Sequence, residues 1–591
     1  MRCFPRRRLT VILIAVWAWL YASFALVRPP LLDDADSVHA EVAREMAARH
    51  DWVTLYANGI RYLEKAPLLY WSMAASFRCF GAAAWAARLP LALCTLALAL
   101  AVAALGRRCF RDARAGFYAG LAMLTSFGLF IFTRILIPDA MVCLWLVVAM
   151  LCFWRSLERP TRANAAGFAA ACALGVLTKG LIGMVFPLLI AAIYLAMTRS
   201  LSHVRRWHPR LGLAVFLAIA APWHVAAGLA NPTEGHPGAL PTLGNVHGFP
   251  WFYFVNEHLL RYLNRRIPRD YDTVPGALFW GLLLVWMLPW SGFLPWALRT
   301  VPLARWWRNR RDCAALAEVE RARLLLFVWA AVPMVFFSFS TRQEYYVLPT
   351  LPALALLIGG RLAREGPPRR LRWPLLAAAG AGAVLAAFFA LHAGGPQGSL
   401  NAALSTNPGD YALSFGHFLD LSTRAMAFFR LPLALTAAAL LAAGVGYFTL
   451  RGEAAVGAVA AGGAVFLVAA HMALVTFAPV LSSANLAEKI RPLLRPGDVI
   501  EINGEYESGS TFGFSLRRPV RILNGHSSNL WYGSFFTDAP RIFDDDASFA
   551  KLWAGPRRVF LLTDEDDAPK LPGPVYTLAT SEGKAVLSNE R

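Results

Sequence analysis

Long apolar runs separated by short polar stretches dominate the pattern of this 591-residue chain. A run of about twenty apolar residues crosses the ~30 Å hydrocarbon core of a bilayer as one helix. Such runs fall near 9–27, 86–105, 115–132, 140–157, 164–178, 181–197, 211–229, 275–298, 324–339, 346–362, 374–393, 429–449 and 455–478. The pattern predicts an all-α polytopic membrane protein of about thirteen transmembrane helices. Arg6-Arg7-Arg8 before the first run and Ala22-Ser23-Phe24-Ala25 near its end have the outline of a signal peptide. The length of that run and the many spans after it predict an uncleaved first helix instead.

Arginines fall in seven clusters: Arg6 to Arg8, Arg107 to Arg114, Arg155 to Arg162, Arg199 to Arg210, Arg299 to Arg323, Arg361 to Arg372, and Arg451. The span list puts all seven on one side, which the positive-inside rule makes cytoplasmic. The N-terminus is then cytoplasmic. Loops 28–85, 133–139, 179–180, 230–274, 340–345, 394–428 and everything after about 480 then lie on the outer face. Within 28–85, two amphipathic stretches at 37–49 and 67–80 predict helices lying along the membrane surface. Beyond 480, runs 498–502 and 558–563 read as buried strands and 484–494 as a helix. The expected organisation is a transmembrane domain over 1–479 and a small soluble α/β domain over 480–591.

Composition narrows the class: the chain is 57% hydrophobic and only 16% charged, which excludes a water-soluble domain of this length. Of its net charge of +20, residues 480–591 carry 13 basic and 15 acidic side chains, so the basic excess belongs to the membrane half. Those bases sit between apolar runs rather than on one folded face, so nucleic-acid binding is not expected. Eight cysteines without a CxxC pair encode no disulfide framework or zinc knuckle.

Three polar clusters on the outer loops carry candidate chemistry. Asp33-Asp34-Ala35-Asp36 gathers three acids at the rim of the hydrocarbon, costly unless a cation or proton relieves them, or unless Asp36 simply caps the following helix. Tyr62-Leu63-Glu64-Lys65-Ala66-Pro67 sets an acid and a base beside a restricted X-Pro bond, or anchors the interface. Asp139, after Arg134 and Pro138, lies at the mouth of a span, where an ionisable group is expensive and functional unless Arg134 neutralises it. Lys179, at a span end, reads as an interface anchor.

The strings Ala40-Glu41-Val42-Ala43-Arg44-Glu45-Met46, Asp51-Trp52-Val53, Tyr62-Leu63-Glu64-Lys65-Ala66-Pro67-Leu68-Leu69-Tyr70-Trp71, Pro138-Asp139, Leu177-Thr178-Lys179-Gly180, Pro222-Trp223, Glu257-His258, Leu288-Pro289-Trp290 and Tyr346-Val347-Leu348-Pro349 run in order through the first 365 residues. Together they resemble the phospholipid-carrier-dependent glycosyltransferases of the GT-C class, most closely the branch with the lipid A aminoarabinose transferase and related protein O-mannosyltransferases. The resemblance implies a GT-C fold and a polyprenyl-phosphate sugar donor such as undecaprenyl phosphate. It also implies an outer-loop catalytic acid in an Asp-Glu pair. Anchored on Glu41, that pair falls on Ala35 and Asp36, so Asp34 or Asp36 supplies the carboxylate, and Val38 stands where a basic residue usually follows.

Sugar transfer from such a donor needs a cationic site for the departing phosphate and a group that orients or deprotonates the acceptor. Lys65 with Arg261 or Arg342, assisted by Tyr62 and Tyr346, is expected to hold the phosphate; Asp34, Asp36 and Asp139 are the candidate catalytic acids. Glu64 and His258 form a candidate divalent-metal pair, though no cofactor is required. The expected reaction is an inverting single displacement onto lipid A or lipopolysaccharide, with a protein hydroxyl as the alternative acceptor. A polytopic transporter is the rival from another class, but the spans are nearly free of the mid-membrane carboxylates it would need.

Overall fold

The computed structural model describes residues 6–26, 29–269, 273–308, 316–404 and 422–591. Cys3, Cys313, Arg310, Arg311 and the stretch 405–421 of the loop 394–428 lie outside them. Every predicted span is helical. Among the described residues nine helices are long and apolar enough to cross a membrane, and Gly276–Trp286 with Trp290–Arg308, bent by 99°, makes a tenth if counted as one. The other three predicted spans fall on shorter or less apolar helices: Ala113–Leu124 followed by Phe127–Ile131, Arg162–Lys179, and Ile182–Met197. Leu213, Val225, Leu229, Val384 and Leu391 point outward from the spans Pro209–Ala230 and Arg369–His392. In water such a surface would be costly, so these flanks are the lipid-facing perimeter.

The arginine clusters gather at one end of the bundle. Arg108 pairs with Glu158, Arg111 with Glu318, Arg305 with Glu320, and Arg114 donates to the Ala363 carbonyl. Loops 28–85 and 230–274 gather at the other, with both amphipathic stretches folded as helices, Ala35–Arg49 and Leu68–Phe80. Between these two helices a short hairpin pairs β1 (Tyr56–Ala57) with β2 (Ile60–Arg61).

The C-terminal residues form a six-stranded sheet of order β5-β4-β3-β6-β8-β7. The two strands legible in the sequence are its centre. β3 (Val499–Asn503) pairs in parallel with β6 (Val559–Asp564), Val499 opposite Val559, and also with β4 (Arg521–Leu523). β5 (Phe543–Asp544) extends that parallel edge, while the hairpin of β7 (Tyr576–Ser581) and β8 (Lys584–Ser588) closes the other side antiparallel. Both central strands are buried on both faces, as parallel strands beneath helices are, so they read as continuous apolar runs.

This sheet region sits on the loop end and is bonded to it throughout. Asp33 accepts hydrogen bonds from the Ser483 amide (2.9 Å) and hydroxyl (2.7 Å), the Thr511 amide (2.8 Å) and hydroxyl, and Lys584 Nζ (3.0 Å). Asn58 exchanges two bonds with the Val520 backbone, Arg61 pairs with Asp538 (2.6 Å), and the Phe252 and Tyr532 rings lie 4.0 Å apart. Removing the Asp33 carboxylate takes the ion-pair partner from Lys584 and the acceptor from the Thr511 amide in a buried site. Asp33→Ala should therefore lower unfolding stability in detergent by on the order of 3 kcal/mol and expose the segment around 480–510 to protease, measured by chemical denaturation and limited proteolysis.

Candidate active site

A cavity of about 380 Å³ opens at the loop end, where the first outer loop, the starts of two spans and the segments 251–262 and 336–346 converge. The Tyr62-to-Pro67 string follows the β hairpin and turns directly into Leu68–Phe80, which leaves Glu64 and Lys65 on the cavity wall. Residues Trp251–Leu260 are wound as a π-helix, and the wide turn presents Glu257, His258 and Arg261. Such windings cluster at functional sites.

The wall is an ion network. Arg266, whose side chain is only 1% exposed, bonds Glu64 Oε1 at 2.7 Å and Glu257 through Nε. Glu64 also accepts from Lys65 (3.2 Å), and Glu257 from Arg261 (3.0 Å). Burial alone would raise the Glu257 pKa, but the Arg266 and Arg261 cations outweigh it and hold it at about 2. Opposite, Lys179 Nζ donates to both oxygens of Asp139 (2.7 and 2.6 Å) and lies 4.6 and 5.0 Å from the Tyr345 and Tyr346 ring centres. Among the described residues, four cations (Lys65, Lys179, Arg261, Arg266) therefore face three carboxylates (Glu64, Glu257, Asp139), an excess of one positive charge.

The structure brings Lys65, Arg261, Tyr346, Glu64, His258 and Asp139 to this cavity. Lys179 is there too, so it is not the interface anchor that its position at a span end suggests. Asp139 takes its charge partner from Lys179, not Arg134, whose guanidinium packs 5.0 Å over the Phe130 ring and toward the Leu20 and Tyr21 carbonyls. Two residues expected at the phosphate are elsewhere. Arg342 is spent on the carbonyls of Val274, Ser338 and Ser340. Tyr62 is buried with its ring edge toward Tyr70.

The acid cluster is split into three environments. Asp33 belongs to the sheet contact. Asp36 is fully enclosed: it accepts from the Leu136 amide (2.6 Å) and the Leu32 amide (3.2 Å) and lies 3.6 Å from Arg88, which itself holds the Pro29 and Pro30 carbonyls. Asp36 thus pins the first outer loop to the 133–139 loop and does not cap the helix. Asp34 occupies that N-cap position with φ 68° and no side-chain cap bond. Its amide is held by the Glu507 carbonyl (2.9 Å) and Ser510 Oγ (3.0 Å), and its charge acts on Tyr345 in the cavity wall. A non-glycine residue in that backbone region is strained and persists only where its surroundings over-determine it.

Glu64 and His258 do not fit a divalent ion in this arrangement. Both Glu64 oxygens already face cations, and both His258 nitrogens are bonded. Nδ1 donates to the Tyr253 carbonyl (2.5 Å) and Nε2 accepts from the Leu181 amide (3.1 Å). Burial lowers the His258 pKa in keeping with that neutral tautomer. Gly180, with φ +76°, makes this contact possible, because a Cβ there would collide with the His258 ring. Among the described residues no group of three or more His, Cys, Asp or Glu could hold a metal ion.

Two site residues escaped the sequence. Arg266 reads there as one more loop arginine, and only its burial between two acids marks it. His39 lines the cavity with Nδ1 donating to the Leu136 carbonyl at 2.6 Å, and burial together with the Lys65 and Lys179 charges pushes its pKa down to about 4. It is a neutral imidazole at physiological pH, with Nε2 as its acceptor.

The fold is that of GT-C membrane proteins, and the comparisons agree with the resemblance read from the motifs. Residues 64–225 match the family described as dolichyl-phosphate-mannose-protein mannosyltransferase. Undecaprenyl phosphate-α-4-amino-4-deoxy-L-arabinose arabinosyl transferases are similar: that of Aeromonas salmonicida is 30% identical over 62% of both chains, and one from Pseudomonas aeruginosa 28% over 61% of this chain and 60% of its own. The match thus spans about three fifths of the length of these curated relatives. The crystal structure of ArnT from Cupriavidus metallidurans bound to undecaprenyl phosphate superimposes with a TM-score of 0.78 at 25% identity, covering 98% of this chain and 97% of that one. Its apo state gives 0.75 over the same shares. The fold of this protein is ArnT-like GT-C.

Glu507, the sheet residue whose carbonyl holds Asp34, is itself buried, with Oε2 lacking a hydrogen bond and its pKa raised to about 8 by burial and by the Asp34 charge. An acid whose folded pKa lies above its unfolded value of 4.5 contributes least at high pH, so this group's share of stability falls between about pH 4.5 and pH 8. Glu507→Gln should remove that fall and raise stability above pH 8 by on the order of 1–3 kcal/mol, read from unfolding midpoints across pH.

Proposed function

We propose that this protein is a membrane glycosyltransferase that moves a sugar from an undecaprenyl-phosphate donor to lipid A at the outer face of a bacterial inner membrane. The observation that carries the reading is the cavity with its surplus positive charge at the end of an apolar bundle. A dianionic phosphate leaving an anomeric carbon is the species such a site stabilises. The whole-chain likeness to ArnT, crystallised with undecaprenyl phosphate bound, supports the same donor here.

In this reading Lys65 and Arg261 hold the phosphate, and the Glu64–Arg266–Glu257 pairs fix their direction. Tyr346 and Tyr345 orient Lys179 beside Asp139. The acceptor oxygen attacks the anomeric carbon from the face opposite the phosphate, the C–O bond to phosphate breaks, and configuration inverts. If the acceptor is a lipid A phosphate it arrives as an anion. If it is a Ser or Thr hydroxyl, its proton needs a base, for which Asp34 and the His39 Nε2 are the groups at hand. Asp36 serves by position, holding the loop that carries Asp34. Residues 1–479 then form the transferase domain and 480–591 a periplasmic domain that completes the loop end, with the N-terminus cytoplasmic.

Lys65 meets a phosphate that gains charge as the bond breaks, so its interaction strengthens in the transition state. Lys65→Ala should lower kcat by about 10²-fold or more and weaken donor binding. Lys65→Arg should restore only part, because a planar guanidinium does not replace a compact ammonium. The assay is transfer of radiolabelled sugar from polyprenyl phosphate to purified lipid A, run beside a Ser/Thr peptide. Label on the peptide alone would shift the acceptor to protein, and no transfer at all with solute uptake into vesicles would sink the enzyme reading.

Orientation has its own check. Single cysteines at position 65 or 530 in a cysteine-free background should react with a membrane-impermeant thiol reagent on intact spheroplasts. Labelling only after lysis would reverse the topology.

A further inference from the structure

At the arginine end two openings run into one another. A polar recess of about 460 Å³ is lined by Arg107, Arg108, Arg111, Arg155 and Glu158, with Ala104 and Ala113 at its floor. An apolar groove of about 120 Å³ is lined by Leu13, Leu100 and Phe117 among others, and it shares Ala104, Arg107 and Ala113 with the recess. The groove runs between the helices Arg6–Trp17, Ala84–Phe110 and Ala113–Leu124.

The charges in the recess are not cancelled from within. Arg108 is paired with Glu158 and Arg111 with Glu318. Arg107 and Arg155 have no ion-pair partner among the described residues, and the Arg155 Nε is buried without a hydrogen bond. Two unpaired guanidiniums beside an aliphatic groove at the membrane surface match a molecule with an anionic head and an apolar tail. The alanines at the junction leave room for a chain to pass from one opening to the other.

We propose that this recess and groove bind one anionic phospholipid, its phosphate between Arg107 and Arg155 and one acyl chain along Leu13, Leu100 and Phe117. The site is distinct from the sugar-transfer cavity. Asp139 and Arg155 lie sixteen positions apart on the helix Asp139–Glu158, which at ~1.5 Å per residue separates them by about 24 Å along the helix axis. Guanidinium forks suit phosphate oxygens, and each basic side chain near a membrane surface adds about 1 kcal/mol to anionic lipid binding, so two together discriminate by roughly tenfold to thirtyfold.

The test is native mass spectrometry of the full-length protein in detergent, titrated with phosphatidylglycerol, phosphatidylcholine or inorganic phosphate. Phosphatidylglycerol should bind in preference to phosphatidylcholine. Arg107→Gln with Arg155→Gln should weaken it by about tenfold to thirtyfold. Leu100→Trp, which fills the groove, should weaken the lipid but leave inorganic phosphate unaffected. An unchanged unfolding midpoint serves as the control for folding in each variant. Equal binding of the two lipids, or phosphatidylglycerol binding that survives the double arginine variant, overturns the site. Inorganic phosphate binding as tightly as the lipid, with Leu100→Trp silent, overturns the lipid assignment.

Discussion

One guanidinium organises the cavity. Arg266 is buried between Glu64 and Glu257 and donates a further bond to the Pro268 carbonyl. A charge taken out of water this completely is tolerated only when its partners surround it, and breaking such a set by removing one member is far costlier than never having it. Arg266 therefore ties together two loops that are about two hundred residues apart in the chain, and each loop brings one cation to the cavity wall, Lys65 on the first and Arg261 on the second. The two carboxylates do not compete for substrate because Arg266 already occupies them, so the remaining positive charge is left facing the opening.

Much of this was legible in the chain. Thirteen apolar runs became helices because nothing but a helix satisfies the backbone across hydrocarbon. The two central strands showed themselves as apolar runs because both of their faces are covered. The hairpin at 576–588 did not, since its edge strand β7 buries only Ala579 and offers no continuous apolar run. At the site, Lys65 and Asp139 were visible as ionisable residues at the rim of the spans, and Glu257 only as part of the Glu257-His258 motif. Arg266 and His39 were not, because their meaning lies in partners on other loops. Arg342 and Tyr62 misled for the same reason: an outer-loop position says which side a residue is on, not whether its side chain is already committed to a backbone carbonyl or a neighbouring ring.

The three acids after the first span show how one string can serve three ends. Asp33 faces the sheet, Asp36 faces the 133–139 loop, and Asp34 between them is held in a strained backbone by bonds from both directions. Repulsion among them is avoided by divergence: each carboxylate turns to its own set of donors. The strain at Asp34 is maintained by Glu507 and Ser510, so the sheet region shapes the loop that borders the cavity even though it lines none of it.

The bond from Lys584 to Asp33 joins residues 551 positions apart. Asp33 therefore gains its full set of donors only when the sheet region folds against the loop after the first span. The shape of the acidic loop is thus a property of the folded pair rather than of the loop alone, so a change within the sheet region can be felt beside the cavity without touching it.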